Sequence, residues 1–182
     1  MPFSNSVEKG GTKMATTIKV AEKKVQRELV KVVKVLKDKE GRELKITNAL
    51  AGRATWLGPP LGTHRMFFIA MDPSIGTKHC LMALMVIPPG NETSLHAHMH
   101  EEAYYVIKGR GIMYTDTGEE FEVKEGYATF QSPGVLHAMR NTGLEDLVVL
   151  YIWAGPTVPT WEEAMKGVIK TGQEKHDFEV HL

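Results

Sequence analysis

The chain has a single cysteine in 182 residues, so no disulfide can form within it, and packing and hydrogen bonding must hold the fold. It also lacks net charge, because Lys plus Arg number 22 and Asp plus Glu number 22. With no surplus of positive charge there is no long-range field to draw nucleic acid or an anionic bilayer. The expected partners are small molecules, with no nucleic acid and no membrane. No apolar stretch approaches the ~20 residues that cross a bilayer, and the opening MPFSNSVEKGGTKMATT has no apolar core of a secretory signal. A cytoplasmic address is the expectation. Cys80 opens the apolar run Cys80 to Ile87 and reads as a small buried hydrophobe.

The length suits one domain with its own core. Residues 1–16 are polar and have no periodicity to bury, which predicts a disordered tail before a single domain over 17–182. From Val20 to Leu36 two readings compete. Val25, Leu29, Val32 or Val33, and Leu36 fit a helical stripe, while the clustered valines suit strands. The spacing slightly favours a helix there followed by a strand at Leu44 to Thr47, with a hairpin turning at Gly41 as the alternative.

Beyond the loop at Gly58 to Gly62 the chain becomes short apolar runs divided by turn residues. They are Met66 to Met71, Cys80 to Ile87, Glu92 to His98, Ala103 to Lys108, Gly111 to Thr115, Glu120 to Val123, Tyr127 to Gln131, His137 to Asn141 and Leu147 to Trp153. Runs of this length and spacing predict an all-β sandwich or barrel with its core over about 66–154. Thr160 with Glu163 three residues on predicts a capped helix from there to about Lys170.

The chemistry gathers in Gly90 to Gly109, which reads GNETSLHAHMHEEAYYVIKG. His96 and His98 are two apart, so on a strand both imidazoles share one face. A bend after Met99 would return Glu102 toward them, and His137 follows the turn Ser132, Pro133, Gly134 on another run. Three imidazoles and one carboxylate suit a divalent first-row ion, Fe, Mn, Co, Ni, Cu or Zn, and suit Mg or Ca poorly.

These residues resemble the cupins. Their first motif, G-x5-H-x-H-x3-E-x6-G, is met by Gly90, His96, His98, Glu102 and Gly109. Their second, G-x5-P-x-G-x2-H-x3-N, is met by Gly126, Gly134, His137 and Asn141, but Ser132 stands where the motif has proline, with Pro133 one place later. The resemblance implies a double-stranded β-helix, or jelly-roll barrel, with a short N-terminal helix or hairpin and a C-terminal helix. It implies one metal ion on His96, His98, Glu102 and His137, and it extends to dioxygenases, decarboxylases, isomerases, lyases and binding proteins.

Around that centre, Tyr104 and Val106 share the parity of Glu102 and are expected inside the barrel, with Tyr105 and Ile107 outside. Tyr104 is a candidate acid, base or hydrogen-bond donor, with core packing as its other reading. His100 is expected in a loop, with a fifth-ligand role as the alternative. His64, His79, His176 and His181 lack partners at ligand spacing, and Met82, Met85, Met113 and Met139 read as core filling. Asn141 is expected to fix a turn.

An octahedral ion on four protein ligands keeps two neighbouring positions for a small chelating organic anion, or for substrate beside dioxygen. Iron is the first choice, and oxygen-dependent cleavage by a dioxygenase is the leading expectation. Non-redox isomerase, lyase or decarboxylase chemistry is the alternative, as is a small-molecule binding or sensing role. Apolar residues at both parities, at Tyr105, Ile107 and Val148 to Trp153, predict a homodimer.

Overall fold

Alternating burial along short, largely apolar strands decides the architecture. In the computed structural model, which describes residues 28–59 and 62–165, eleven strands form in chain order: β1 (Val32–Lys37), β2 (Glu43–Thr47), β3 (Thr55–Leu57), β4 (Arg65–Met71), β5 (Cys80–Ile87), β6 (Glu101–Lys108), β7 (Arg110–Thr115), β8 (Glu120–Lys124), β9 (Ala128–Gln131), β10 (His137–Asn141) and β11 (Leu147–Ala154). Every pairing between them is antiparallel. A six-stranded sheet of order β3-β4-β5-β11-β6-β9 faces a three-stranded sheet of order β10-β7-β8, and β1 and β2 form a separate hairpin. Two facing antiparallel sheets of this order form the expected jelly-roll barrel. Among the described residues no helix is long and apolar enough to cross a membrane.

β5 and β11 lie at the centre of the large sheet and pair along their full lengths, from Leu147 opposite Ile87 to Ala154 opposite Cys80. Their inward sets, Leu81, Ala83, Met85 and Ile87 against Leu147, Val149, Tyr151 and Trp153, are buried almost completely. β4 adds Phe67 and Ile69, β6 adds Tyr104 and Val106, and Met139 closes the core from the small sheet. Each such side chain contributes roughly 1.5–3 kcal/mol of burial. Of the four methionines expected in the core, Met85 and Met139 are fully buried, and Met82 and Met113 are half-buried. Cys80 is half-buried as well, at the outward-facing start of its strand.

Two expectations change. The favoured helix over Val20 to Leu36 is replaced where it is described: residues 28–31 are bend and coil, 32–36 lie in β1, which pairs with β2, and residues 20–27 lie outside the described residues. The turn between them explains why. The Asp38 side chain accepts from the backbone N–H of Glu40 at 3.0 Å and of Arg42 at 2.9 Å, and Gly41 takes φ +80°. That local geometry selects a hairpin, which β-branched valines favour over a helix. Secondly, Glu92 to His98 is not a continuous strand. It touches β10 through separate bridges, Glu92 with Arg140 and His96 with His137. In addition, β3 occupies a stretch just before the Gly58 loop for which the sequence predicts no element. The terminal helix begins as expected, at 161–165, and its continuation and the 1–16 tail lie outside the described residues.

Candidate metal centre

The four residues expected to meet do so. One ligand atom from each of His96, His98, Glu102 and His137 lies within 4.8 Å of all the others, and all four side chains are buried. His96 and His137 come together because their backbones exchange two hydrogen bonds, at 3.0 and 2.8 Å. A β-turn sets His137 in place. Val135 N–H donates to the Ser132 carbonyl at 3.2 Å, with Pro133 and Gly134 between them. Gly134 at φ +81° is in the left-handed region, so Pro133 and Gly134 occupy the two central positions of a type II turn. The proline displaced by one place from the motif therefore still fixes the turn. Asn141 holds the other end of β10: its Nδ2 donates to the carbonyls of Ile87 at 2.7 Å and Glu145 at 2.8 Å.

The imidazole protons are fixed by their backbone partners. Nδ1 of His96 lies 2.8 Å from the Ser94 carbonyl, that of His98 3.0 Å from the His100 carbonyl, and that of His137 2.8 Å from the Val135 carbonyl. A carbonyl only accepts, so each Nδ1 carries the proton and each neutral ring presents its Nε2 lone pair inward. The Glu102 carboxylate meets them there, with Oε2 2.6 Å from His137 Nε2 and 3.1 Å from His98 Nε2. His98 Nε2 has no partner with hydrogen-bond geometry, although it is buried. Lone pairs and a carboxylate converging on one buried point need a cation between them. The residues present therefore fit a divalent ion, and the tautomer-setting carbonyls are what hold imidazole ligands in register.

Electrostatics agree. Burial above all pushes the His96 imidazole down to about 3, so it stays neutral and able to ligate. Burial would raise the Glu102 carboxyl, but its close contacts with His137 and His98 outweigh it and hold the group well below the usual carboxylate range. Trp153 Nε1 donates to its second oxygen, Oε1, at 2.9 Å. Tyr104 is buried as expected, with Tyr105 and Ile107 exposed. Burial and the Glu102 charge push its phenol well above its ordinary value, which makes it a hydrogen-bond donor and a poor base.

His100 departs from expectation, because it sits at a bend yet is buried, with its ring 5.4 Å from Trp153. It is not one of the four clustered residues. His64 and His79 are exposed, as expected, and His176 and His181 lie outside the described residues. Sequence reading missed Arg65, Tyr151, Trp153 and Trp161. Arg65 is 5% exposed and lines a small chamber together with His96, Tyr104, Tyr151, Trp153 and Trp161. Burial lowers its guanidinium to about 10, which still leaves it charged at neutral pH. Its parity with Phe67 and Ile69 was the signal that could have found it.

Comparison with known proteins gives a consistent picture. Residues 83–153 match the family model described as a cupin domain. The chain is 41% identical over 83 residues to an uncharacterized protein of Methanocaldococcus jannaschii, covering 44% of this chain and 65% of that one. It is 35% identical over 91 residues to auxin-binding protein 1 of Arabidopsis thaliana, covering 46% of each. The match thus spans less than two thirds of these relatives. Among solved structures, a predicted oxalate decarboxylase of Thermotoga maritima superposes with TM-score 0.54 at 25% identity, over 59% of this chain and 96% of that one.

Proposed function

We propose, from the premise that this chain carries a cupin domain, that it is a mononuclear metal enzyme whose ion is held by His96, His98, Glu102 and His137. The observation that carries this is the set of three Nδ1–carbonyl contacts, which turn three Nε2 lone pairs toward one buried carboxylate. A bound ion would supply Lewis-acid charge to a chelating anion, and ferrous iron would also activate dioxygen. The chain's own part is to position the ligand and to exclude bulk water with Tyr104, Tyr151 and Trp153, all nearly fully buried. Tyr104 stands beside Glu102 as a protonated donor toward a substrate oxygen. Oxygen-dependent cleavage of a small organic substrate is the leading reaction.

The likeness to a predicted oxalate decarboxylase favours a second reading, non-redox chemistry at the same centre. One experiment separates the two. Metal-free protein is reconstituted anaerobically with Fe(II), Mn(II), Ni(II), Co(II) or Zn(II), and diketones, catechols, hydroxy ketones and carboxylates are added with an oxygen electrode in place. Oxygen uptake with iron alone supports the dioxygenase; equal turnover without oxygen, or with zinc, moves the protein to the non-redox class.

A homodimer belongs to the same proposal. On the outward face of the large sheet, Phe68, Leu84, Leu150 and Tyr105 stand opposite one another across four strands. Such a continuous apolar row on a solvent face suits burial against a second copy.

A further inference from the structure

The chamber beside His96 sets hydrogen-bond donors among the apolar side chains of Leu57, Phe67, Met85 and Met165. Arg65 supplies a buried guanidinium, and Tyr104 and Tyr151, both almost fully buried, supply phenol hydroxyls. Trp161 lines the same space, and its indole Nε1–H, which can only donate, is buried and meets no acceptor. None of the described residues lining the chamber is a carboxylate. Its volume of about 20 Å³ is on the order of one small polar group, so it admits the head of a ligand and not a ring.

We infer that this chamber seats a substrate carboxylate, gripped by Arg65 and met by Trp161, while further oxygens of the same molecule reach the ion beside His96. A carboxylate brings only acceptors, which suits the acceptor-less Trp161 N–H and the charge of the Arg65 guanidinium beside it. The planar fork of arginine matches its two oxygens in a way that an ammonium would not. The substrate class is therefore short carboxylic acids with a second oxygen function a few bonds away, such as hydroxy acids, oxo acids and small dicarboxylates. Neutral diketones and catechols lack the group that the chamber selects. This identification rests on the proposed metal centre, because that centre receives the other end of the ligand.

The test titrates lactate, malonate and acetoacetate, each against its uncharged amide, into Zn(II)-loaded protein by calorimetry and tryptophan fluorescence, with metal content measured on the same samples. At least one acid should bind thirty-fold or more tighter than its amide, and Arg65→Gln should remove that preference while keeping one ion per chain. Unchanged acid binding by Arg65→Gln, or no acid binding by the wild type, overturns the inference. If Arg65→Gln does not fold, Trp161→Phe decides: it keeps the ring, removes the N–H, and should weaken the acid five- to ten-fold, whereas unchanged affinity overturns the inference. Should the wild type take up no ion, the metal reading fails by itself; Arg65-dependent acid binding to the ion-free protein would then uphold the chamber, and its absence would overturn it.

Discussion

The two ends of the barrel are made by the same strands and have opposite characters. Along β6 the inward residues run Glu102, Tyr104, Val106, and along its antiparallel neighbour β11 they run Trp153, Tyr151, Val149 and Leu147. One end is thus lined by Val106, Val149, Leu147 and Ile87, and the other by Glu102, Tyr104, Trp153 and three imidazoles. An apolar end gains free energy from burial, whereas the other end carries polar groups that each cost desolvation unless paired. The contrast teaches that stability and chemistry are separable along one set of strands. The closed end supports a site that would not hold itself together.

The largest effect expected from this contrast is at the apolar end. Leu147 is fully buried there, and Leu147→Ala should destabilise by about 2–5 kcal/mol, read as a shifted urea midpoint with unchanged slope. At the other end His98→Ala should abolish stoichiometric metal uptake and activity while keeping the far-ultraviolet circular dichroism of the wild type. A His98→Ala protein that loses its β signal would show that the two ends are not separable. Acid provides a graded version of the same test. His96 is held neutral down to about 3, whereas the same side chain titrates near 6.5 when unfolded. The unfolded chain therefore binds more protons between those values, and stability of the metal-free protein falls as pH drops through that window. Glu102 acts in the same direction, since its lowered carboxyl gives stability present above about 4.5 and lost on further acidification. His96→Gln should flatten the upper part of the profile in denaturation series from pH 7 to 4, and Leu147→Ala should shift it without changing its shape.

Smaller again is the effect expected on the outside of the large sheet. Leu150 is half-buried between Leu84 and Tyr105, so Leu150→Glu should convert the proposed dimer to monomer in sedimentation while leaving metal uptake intact. A wild type that sediments as a monomer at micromolar concentration would remove the proposal.

How much of this could be read beforehand follows the same division. Strands such as Cys80–Ile87 and His137–Asn141 were legible because turn residues bound each short run, and both are observed with those bounds. The four clustered residues were legible because three of them lie within seven positions of one another and the fourth follows a proline-glycine turn. Arg65 and Trp161 were not, since the chamber joins the start of β4 to a helix nearly a hundred residues later, and no local spacing records that. The β1–β2 hairpin was misread because its valines satisfy both periods, and the deciding signal was the side chain of Asp38 in the turn. β3, three residues long, is fixed by its pairing with β4 and leaves no periodic trace.

The smallest effect expected lies where the terminal helix meets the polar end. Thr160 and Glu163 form a reciprocal cap: Thr160 N–H donates to Glu163 Oε2 at 2.9 Å, and Glu163 N–H donates to Thr160 Oγ1 at 3.2 Å. The cap starts the helix one residue before Trp161, whose backbone N–H also donates to the buried Asp72 carboxylate at 2.9 Å. Thr160→Ala removes one half of the cap, a loss of about 1 kcal/mol, and Asp72 still anchors the turn. The lost free energy is therefore local, and the amide of Ala164, which bonds to the Thr160 carbonyl at 3.0 Å, should exchange with solvent roughly five-fold faster. The global urea midpoint should stay within error of the wild type, because the helix contributes little to the apolar end. Affinity for a carboxylate should stay within about two-fold of the wild type, since the closed helix remains the dominant state. A midpoint that drops as far as in Leu147→Ala would mean that the helix is part of the cooperative core, and the polar end would then be a structural element in its own right.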